Sequence, residues 1–229
     1  MDRVGEYTLK AMKKAKWYNR WLLTFVEKYL TGDILEVGAG IGNFSKMLKK
    51  YGKVTVIDIN GNYLKYYRSR GINCGLGDIE RGEYFFKDKK FDSIICLNVV
   101  EHIKDDEGAL KNIHKLLKKN GNAAVLVPAH KLLYSRYDHL LGHYRRYTIS
   151  DVKKLIGNSG LEIVDIRYIN WWGAFGWLFF MKLLKRTDFP ENELGIFDTF
   201  GKFLLWPEKI LKLPFGLSVL VVVRRNKRY

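Results

Sequence analysis

The chain has 229 residues, a net charge of +16 and 47% apolar residues. This length suits one α/β domain with additions, and the apolar fraction is sufficient for a full core. No histidine or cysteine cluster has the spacing of a metal site, so we expect no structural zinc and no metal cofactor.

The N-terminal part, residues 7–30, predicts a helix that carries many basic side chains. The charged N-terminus lacks the apolar core of a signal peptide, so we expect a cytoplasmic protein. Cys74 and Cys96 both fall in predicted buried strands, where we expect them to be small core residues in a reducing compartment. The charge has two interpretations, a solvated lysine-rich surface or a polyanionic partner, which would be nucleic acid or an acidic lipid surface.

The next element begins with an apolar run over residues 33–37, which predicts a buried strand. Alternating glycines follow at Gly38, Gly40 and Gly42, and residues 43–50 have the pattern of a helix. Glycines allow the backbone to approach a ligand closely, and a helix start offers free N–H groups. The segment therefore predicts a nucleotide-binding element.

Two deviations from better-known glycine loops indicate which nucleotide is bound. Asn43 stands where a dinucleotide loop carries its third glycine, and no Lys-Ser or Lys-Thr pair of a phosphate loop follows. Glu36 lies two residues before the first glycine, where a carboxylate suits a ligand with an ammonium group and no phosphate. The segment resembles the first motif of class I methyltransferases, which bind S-adenosylmethionine. A dehydrogenase is the alternative at this point.

The second predicted strand, residues 53–58, ends in Asp58, and a helix over 61–70 follows. A carboxylate at about this distance beyond a glycine loop can accept both ribose hydroxyls, and Ile59 beside it is a further candidate for the cofactor site. A dehydrogenase would carry the same aspartate. This step therefore indicates nucleoside binding without choosing between the two families.

A third strand over 72–76 leads to Asp78. The resemblance to class I methyltransferases implies that Asp78 accepts a hydrogen bond from the adenine amino group. It also implies that the backbone N–H of Ile79 meets the adenine ring.

A strand over 91–97 runs into Asn98-Val-Val-Glu101-His102. This string resembles the fourth motif of small-molecule methyltransferases, which implies that Asn98 contacts the cofactor. Glu101 has two open interpretations, a functional role or a structural one at the following helix. Four motifs in family order over residues 33–128 favour a methyltransferase.

Strands and helices alternate along the chain, which predicts an α/β fold with a doubly wound, mostly parallel sheet. The resemblance implies a Rossmann-like methyltransferase fold of seven strands, the last one antiparallel, in a single domain over residues 1–229. The remaining predicted elements are a helix over 105–119, a strand over 122–128, a helix over 151–158, and strands over 161–169 and 216–223.

The segment after the fifth strand resembles the Asp-x-x-x-Gly-His-x-Arg-Arg-Tyr signature of a group of prokaryotic class I methyltransferases. It begins at Asp138 and contains His143. His143 has the chemistry to take a proton from an acceptor hydroxyl, since imidazole titrates near neutral pH. His102 is the rival base.

Four further side chains of this segment are candidates for holding the acceptor: Tyr134, Arg145, Arg146 and Tyr147. The guanidinium groups of Arg145 and Arg146 suit a phosphate or carboxylate on that acceptor. The alternative is that Asp138 pairs with one of the arginines and stiffens the loop.

The last two strands are separated by an insert over residues 170–214, far longer than an ordinary hairpin loop. It is rich in aromatic residues and is divided by Pro190, Pro207 and Pro214. We expect two short helices that form an apolar lid, which implies an acceptor with an apolar portion. A helix lying at an anionic membrane surface is the other interpretation; the aromatic stretch is too short to span a bilayer.

Together these features predict an S-adenosylmethionine-dependent methyltransferase, with direct transfer of the methyl group to oxygen of a small or lipid-linked acceptor. One alternative is an RNA or protein methyltransferase that uses the basic surface, although no nucleic-acid-binding module is recognisable. Another is a non-catalytic protein that binds the cofactor and a partner. The predicted location is cytoplasmic, with peripheral contact at the inner membrane face as an open possibility.

Overall fold

The computed structural model describes residues 3–187, 195, 199 and 201–226. Eight strands are found in this part of the chain: β1 Gly32–Val37, β2 Gly52–Asp58, β3 Asn73–Asp78, β4 Glu83–Tyr84, β5 Phe91–Leu97, β6 Leu117–Pro128, β7 Leu161–Ile169 and β8 Ser218–Arg225. They form one sheet in the order β4-β3-β2-β1-β5-β6-β8-β7. Strands β3, β2, β1, β5 and β6 are parallel, and β8 runs antiparallel between β6 and β7.

This topology confirms the predicted α/β fold, a mostly parallel sheet with an antiparallel last strand. The structure adds one strand to the predicted seven, because β4 pairs over two residues with the end of β3. A strand of two residues has too short a pattern to be recognised in a sequence.

The α-helices with both ends in the described part are α1 Arg3–Lys14, α2 Lys16–Thr24, α3 Ser45–Leu48, α4 Gly61–Arg68, α5 Asp106–Leu116, α6 Arg136–Leu140, α7 Ile149–Gly157 and α8 Trp171–Trp177, and residues 201–204 are also helical. They cover both faces of the sheet. Leu110 of α5 and Val152 of α7 belong to one buried cluster, and Trp21 of α2 and Tyr67 of α4 belong to the other. This arrangement is the doubly wound architecture.

Three predicted helices differ most from the observed ones. The helix over 7–30 is divided between α1 and α2 at Ala15, whose ψ of 65° is not helical. The helix over 43–50 shrinks to α3, because Gly42 has a φ of +84° and the turn continues past it. The helix over 105–119 ends at Leu116, and the chain enters β6 five residues earlier than predicted.

The early start of β6 has a cause in the neighbouring strands. Leu117 pairs with Phe91 at the start of β5. The ammonium group of Lys118 lies 3.0 Å from the Asp33 carboxylate and 2.8 Å from that of Asp92. Residues 117–119, the predicted end of that helix, therefore belong to the sheet.

The insert between β7 and β8 begins with α8, which continues into a π-helical turn over Leu178–Leu183, and it later contains a 3-10 turn over Trp206–Lys209. Of the predicted insert, residues 188–194, 196–198 and 200, with Pro190 among them, lie outside the described residues. No helix in the described ranges is both long enough and apolar enough to span a membrane.

Candidate active site

The glycine loop leaves the carboxyl end of β1. Gly38, Gly40 and Gly42 have φ values of +64°, +52° and +84°, which side chains other than glycine rarely adopt. A Cβ atom on Gly38 would lie 2.5 Å from the side chain of Val99, which follows β5. The loop is thus fixed in a conformation in which its own backbone lies close to the residue that follows β5.

Glu36 is buried directly before this loop. Its carboxylate accepts a hydrogen bond from the hydroxyl of Ser45, at the start of α3. Burial raises the pKa of Glu36 to about 8, although the bond from Ser45 acts in the opposite direction. A positively charged group beside it would favour the carboxylate form, which fits the ammonium group expected from the sequence.

Asp58 ends β2 beside the same loop. One carboxylate oxygen accepts from the backbone N–H of Gly40 at 2.8 Å, and the other accepts from that of Asn60 at 2.8 Å. Burial raises the pKa of Asp58, against the effect of these two bonds. The next side chain, Ile59, is 77% exposed and presents an apolar surface next to the loop.

Asp78 and Asn98 extend the site along the sheet edge. Asp78 ends β3, where one of its oxygens accepts from the backbone N–H groups of Glu80 and Arg81. Ile79 is buried behind it, and its carbonyl accepts from the side chain of Asn112. Asn98 follows β5 with a φ of +54°. Since β3, β2, β1 and β5 are parallel neighbours, the predicted cofactor residues share one edge of the sheet.

A second group of polar side chains is organised by Asp138 in α6. One carboxylate oxygen lies 2.9 Å from Nδ1 of His143 and accepts from Nε of Arg146 at 2.8 Å. The other accepts from the backbone N–H and the hydroxyl of Ser135. Burial alone would raise the pKa of Asp138, but the bond from His143 and the charge of Arg146 hold it below its usual value.

Glu101 faces the other side of His143. Nε2 of His143 lies 4.0 Å from a Glu101 carboxylate oxygen, and the rings of His102 and His143 are 4.7 Å apart. Glu101 is completely buried, and neither of its carboxylate oxygens has a hydrogen-bond partner within the described residues. Burial raises the pKa of Glu101 to about 7, and burial together with the charge on His143 lowers that of His102 to about 4.

The remaining acceptor candidates are engaged in contacts within the protein. Arg146 is buried, donates to the carbonyl of Ala129 and stacks on Trp177 at 4.5 Å. Arg145 and Tyr147 both donate to Asp106, and the Tyr134 hydroxyl donates to the carbonyl of His143. The structure thus contains the Asp138–Arg146 pair that was the structural alternative for this loop. Acceptor binding by the four side chains stays a prediction.

The three groups Glu101, His102 and His143 could also hold a divalent cation. Each offers one ligand atom, and these atoms lie within 4.8 Å of one another. Two imidazole nitrogens and one carboxylate oxygen form a donor set that zinc accepts. The sequence predicted no metal, because ligands from separate segments show no ligand spacing.

Helix α1 contacts both the glycine loop and the segment around Asp138, and no sequence motif predicted these contacts. The side chain of Leu9 packs where a Cβ of Gly40 would point, and the Leu9 carbonyl accepts from the Asn43 side chain. At the preceding residue of α1, the Thr8 and Tyr137 hydroxyls share a hydrogen bond of 2.6 Å. The helix therefore contacts the glycine loop and the Asp138 segment together.

The insert packs against the same segment. Nε1 of Trp177 donates to the carbonyl of Leu133, and the Lys182 ammonium donates to that of Tyr134. The Trp177 ring also lies 5.9 Å from the Tyr137 ring. These contacts are compatible with the predicted lid.

Comparison with known proteins identifies a domain in the first half of the chain. Residues 35–125 match the family model described as a methyltransferase domain. The chain is 30% identical over 122 residues to the ubiquinone biosynthesis O-methyltransferase of Coxiella burnetii, covering 48% of this chain and 50% of that protein. It is 29% identical over 139 residues to a ubiquinone/menaquinone biosynthesis C-methyltransferase of Pseudoalteromonas translucida, covering 55% of this chain and 54% of that one.

These alignments span about half the length of the curated relatives. Solved structures are similar over almost the whole chain. An S-adenosylmethionine-dependent methyltransferase from Archaeoglobus fulgidus has a TM-score of 0.62 at 16% identity, covering 92% of this chain and 94% of that one. The N-methyltransferase NodS from Bradyrhizobium japonicum, in complex with S-adenosyl-L-homocysteine, has a TM-score of 0.57 at 16% identity, covering 92% and 86%. The fold is thus the Rossmann-like methyltransferase fold.

Proposed function

We propose that this chain is an S-adenosylmethionine-dependent methyltransferase that methylates an oxygen of an acceptor with an apolar portion. The observation that carries the proposal is one of position. The cofactor candidates end neighbouring parallel strands, and the buried Glu101–His143–Asp138 group begins directly after β5 at the same edge. The match to a methyltransferase domain supports it.

The residues at the sheet edge fit the cofactor. Glu36 would meet its ammonium group, Asp58 its ribose hydroxyls and Asp78 its adenine amino group, and the exposed Ile59 side chain offers an apolar contact for the base. The bound cofactor supplies an activated methyl group, so the protein has to align the acceptor and remove a proton.

His143 is the better candidate for the proton acceptor. Asp138 on Nδ1 holds that nitrogen in the N–H form and leaves the lone pair of Nε2 free to take a proton. His102, with a pKa lowered to about 4, is a weak base at neutral pH. Glu101, with a pKa of about 7 and no hydrogen-bond partner among the described residues, is suited to accept a hydrogen bond from the acceptor hydroxyl or to share its proton.

The two arginines divide between two roles in this proposal. Arg146 is buried and fixes Asp138, so it acts as a positioning residue. Arg145 is partly exposed and lines a cleft of about 330 Å³ together with Lys131 and Lys154, and the acids Asp106, Glu107 and Asp151 line the same cleft. Its charge suits an anionic substituent on the acceptor.

The choice of oxygen as the methylated atom rests on the buried histidine–carboxylate group, since an alcohol or phenol must lose a proton on methylation. Transfer to carbon is the second candidate because one of the matched relatives is a C-methyltransferase. The RNA or protein methyltransferase and the non-catalytic cofactor-binding protein remain the alternatives from other classes. The predicted cytoplasmic location is part of the proposal.

The first experiment separates cofactor binding from transfer. Calorimetry with S-adenosylhomocysteine measures binding in the unmodified chain and in Asp58→Ala, and we expect binding only in the first. Transfer is followed with methyl-labelled cofactor and a panel of quinols, phenols, polyprenyl-linked sugars and RNA. Absence of binding by the unmodified chain would refute the proposal. Labelling of RNA alone would show that the acceptor is RNA and not a molecule with an apolar portion.

A further inference from the structure

The described parts of the insert expose an unusual number of large apolar side chains. We call them the apolar insert surface: Trp172, Phe175, Leu178, Phe179, Leu183, Leu184, Phe203, Trp206, Ile210 and Leu211. Phe203 is 70% exposed and Ile210 is 67% exposed. Single exposed apolar residues are ordinary, but so many in one segment mark an interaction surface.

This surface rests on a fixed base. Glu208 is buried, and its carboxylate accepts from the backbone N–H groups of Asn170 and Trp171 at 2.7 and 2.6 Å. The indole N–H of Trp171 donates to the carbonyl of Leu204, and Leu205 is completely buried. The insert is thus anchored to the protein by its buried residues, and the apolar side chains named above remain exposed.

Basic residues accompany the apolar ones. In residues 171–187 every charged side chain is basic: Lys182, Lys185 and Arg186. In residues 201–212 the lysines Lys202, Lys209 and Lys212 are exposed, and the single acid there is the buried Glu208. The insert's other acids, Asp188, Glu191, Glu193 and Asp198, lie outside the described residues.

The basic second helix lies beside the insert. The Trp17 ring is 2.8 Å from where a Cβ of Gly201 would be, and the Tyr18 hydroxyl accepts from the Asn170 side chain at 3.2 Å. Lys16 and Arg20 of α2 are exposed. Positive charge from two separate segments therefore borders the apolar insert surface.

We propose that the apolar insert surface docks this protein onto an anionic membrane surface. Aromatic and aliphatic side chains would enter the headgroup region, and the bordering lysines and arginines would meet acidic lipid headgroups. A second copy of the chain is the less suitable occupant, because its own basic residues would face these across the interface. Docking does not require methyl transfer, although it would bring the site to acceptors dissolved in the lipid.

The test is co-sedimentation with vesicles of phosphatidylcholine alone and of phosphatidylcholine with phosphatidylglycerol. We expect the full chain to pellet with the anionic vesicles, to do so less as salt is raised, and to remain largely in the supernatant with the neutral ones. The paired change Phe203→Ser and Trp206→Ser should reduce binding by about tenfold or more. Val164→Ser, which alters an exposed apolar residue on β7, should leave it unchanged.

A second set of variants tests the contribution of the lysines, with lysines elsewhere on the protein as controls. Lys202→Glu with Lys209→Glu should weaken binding to anionic vesicles, whereas Lys115→Glu with Lys153→Glu, on α5 and α7, should have a smaller effect. Thermal melting and affinity for S-adenosylhomocysteine confirm that each variant is folded.

Equal pelleting of the unmodified chain and the Phe203/Trp206 variant would overturn the proposal. So would sedimentation analysis that finds a dimer abolished by those changes and no vesicle binding. Vesicle binding without methyl transfer would contradict only the proposed function.

Discussion

Nδ1 of His143 lies 2.9 Å from the carboxylate of Asp138, while Nε2 of the same ring faces the buried Glu101. With Nδ1 engaged by Asp138, Nε2 is the nitrogen that a substrate could use.

Replacement of His143 by Ala should lower kcat by roughly 10²–10⁴-fold, because general-base catalysis contributes that much to proton removal. The affinity for S-adenosylhomocysteine should not change. His139→Ala is the matched control, since this histidine lies in the same segment and is exposed. If both variants turn over at the unmodified rate, alignment of the acceptor carries the reaction without this base.

Replacement of Arg146 by Met should lower the free energy of unfolding by about 3–5 kcal/mol, because it removes the guanidinium charge that is paired with the buried Asp138 carboxylate. Arg145→Met breaks an ion pair with Asp106 in which the arginine is 38% exposed, and should cost about 1 kcal/mol or less. Urea denaturation of the two variants measures the difference. Equal losses would mean that the Asp138–Arg146 pair is not a buried structural pair.

The raised pKa of Glu101 predicts a pH dependence of stability. The protonated form is favoured in the folded state, so the group's contribution is fully present below its ordinary pKa of 4.5 and is lost as the pH rises through about 7. Glu101→Gln cannot ionise, and its stability relative to the unmodified chain should therefore increase between pH 4.5 and 7. The increase is on the order of 3 kcal/mol for a shift of about 2.5 units.

Urea denaturation at several pH values measures this dependence. Glu107→Gln, which alters an exposed carboxylate on α5, should show no such increase in that range. A constant difference between Glu101→Gln and the unmodified chain would show that Glu101 ionises normally.

Gly38→Ala should abolish cofactor binding, because the new methyl group would lie 2.5 Å from Val99 and displace the loop. Gly71→Ala is a close control. Its φ of +62° imposes the same backbone strain, roughly 1–2 kcal/mol, but no atom lies within 4 Å of the new Cβ. Calorimetric titration with S-adenosylhomocysteine compares the two variants. Equal affinities would show that the glycine loop is not part of the cofactor site.

Dialysis against a chelator should leave the rate of methyl transfer unchanged, because in this mechanism His143 removes the proton without a metal. Metal analysis of the purified protein and the rate after dialysis check this expectation. A loss of activity that zinc restores would instead identify Glu101, His102 and His143 as ligands.

Site residues that are recognised from a short stretch of neighbouring sequence could be predicted. Gly38, Asp58 and Asp78 each stand at the end of an apolar strand, and parallel strands bring such ends to one edge. The contacts between distant segments could not. The lack of a hydrogen-bond partner for Glu101 within the described residues depends on which side chains surround it in the fold. The hydrogen bond between Thr8 and Tyr137 joins residues 129 positions apart.

The arginine pair illustrates the same limit. Arg145 and Arg146 are adjacent and chemically identical, so composition gave them the same predicted role. Only the packing of Trp177 and Asp138 around Arg146 separates a buried positioning residue from a surface one.

The contacts of α1 have a consequence for motion at the proposed site. Leu9 covers Gly40 and Thr8 holds Tyr137, so one helix covers the cofactor loop and the acceptor segment together. In the proposed enzyme, any movement of α1 away from the glycine loop would also break its contact with the Asp138 segment. One motion of this helix would thus act on the cofactor half and on the acceptor half of the proposed site together.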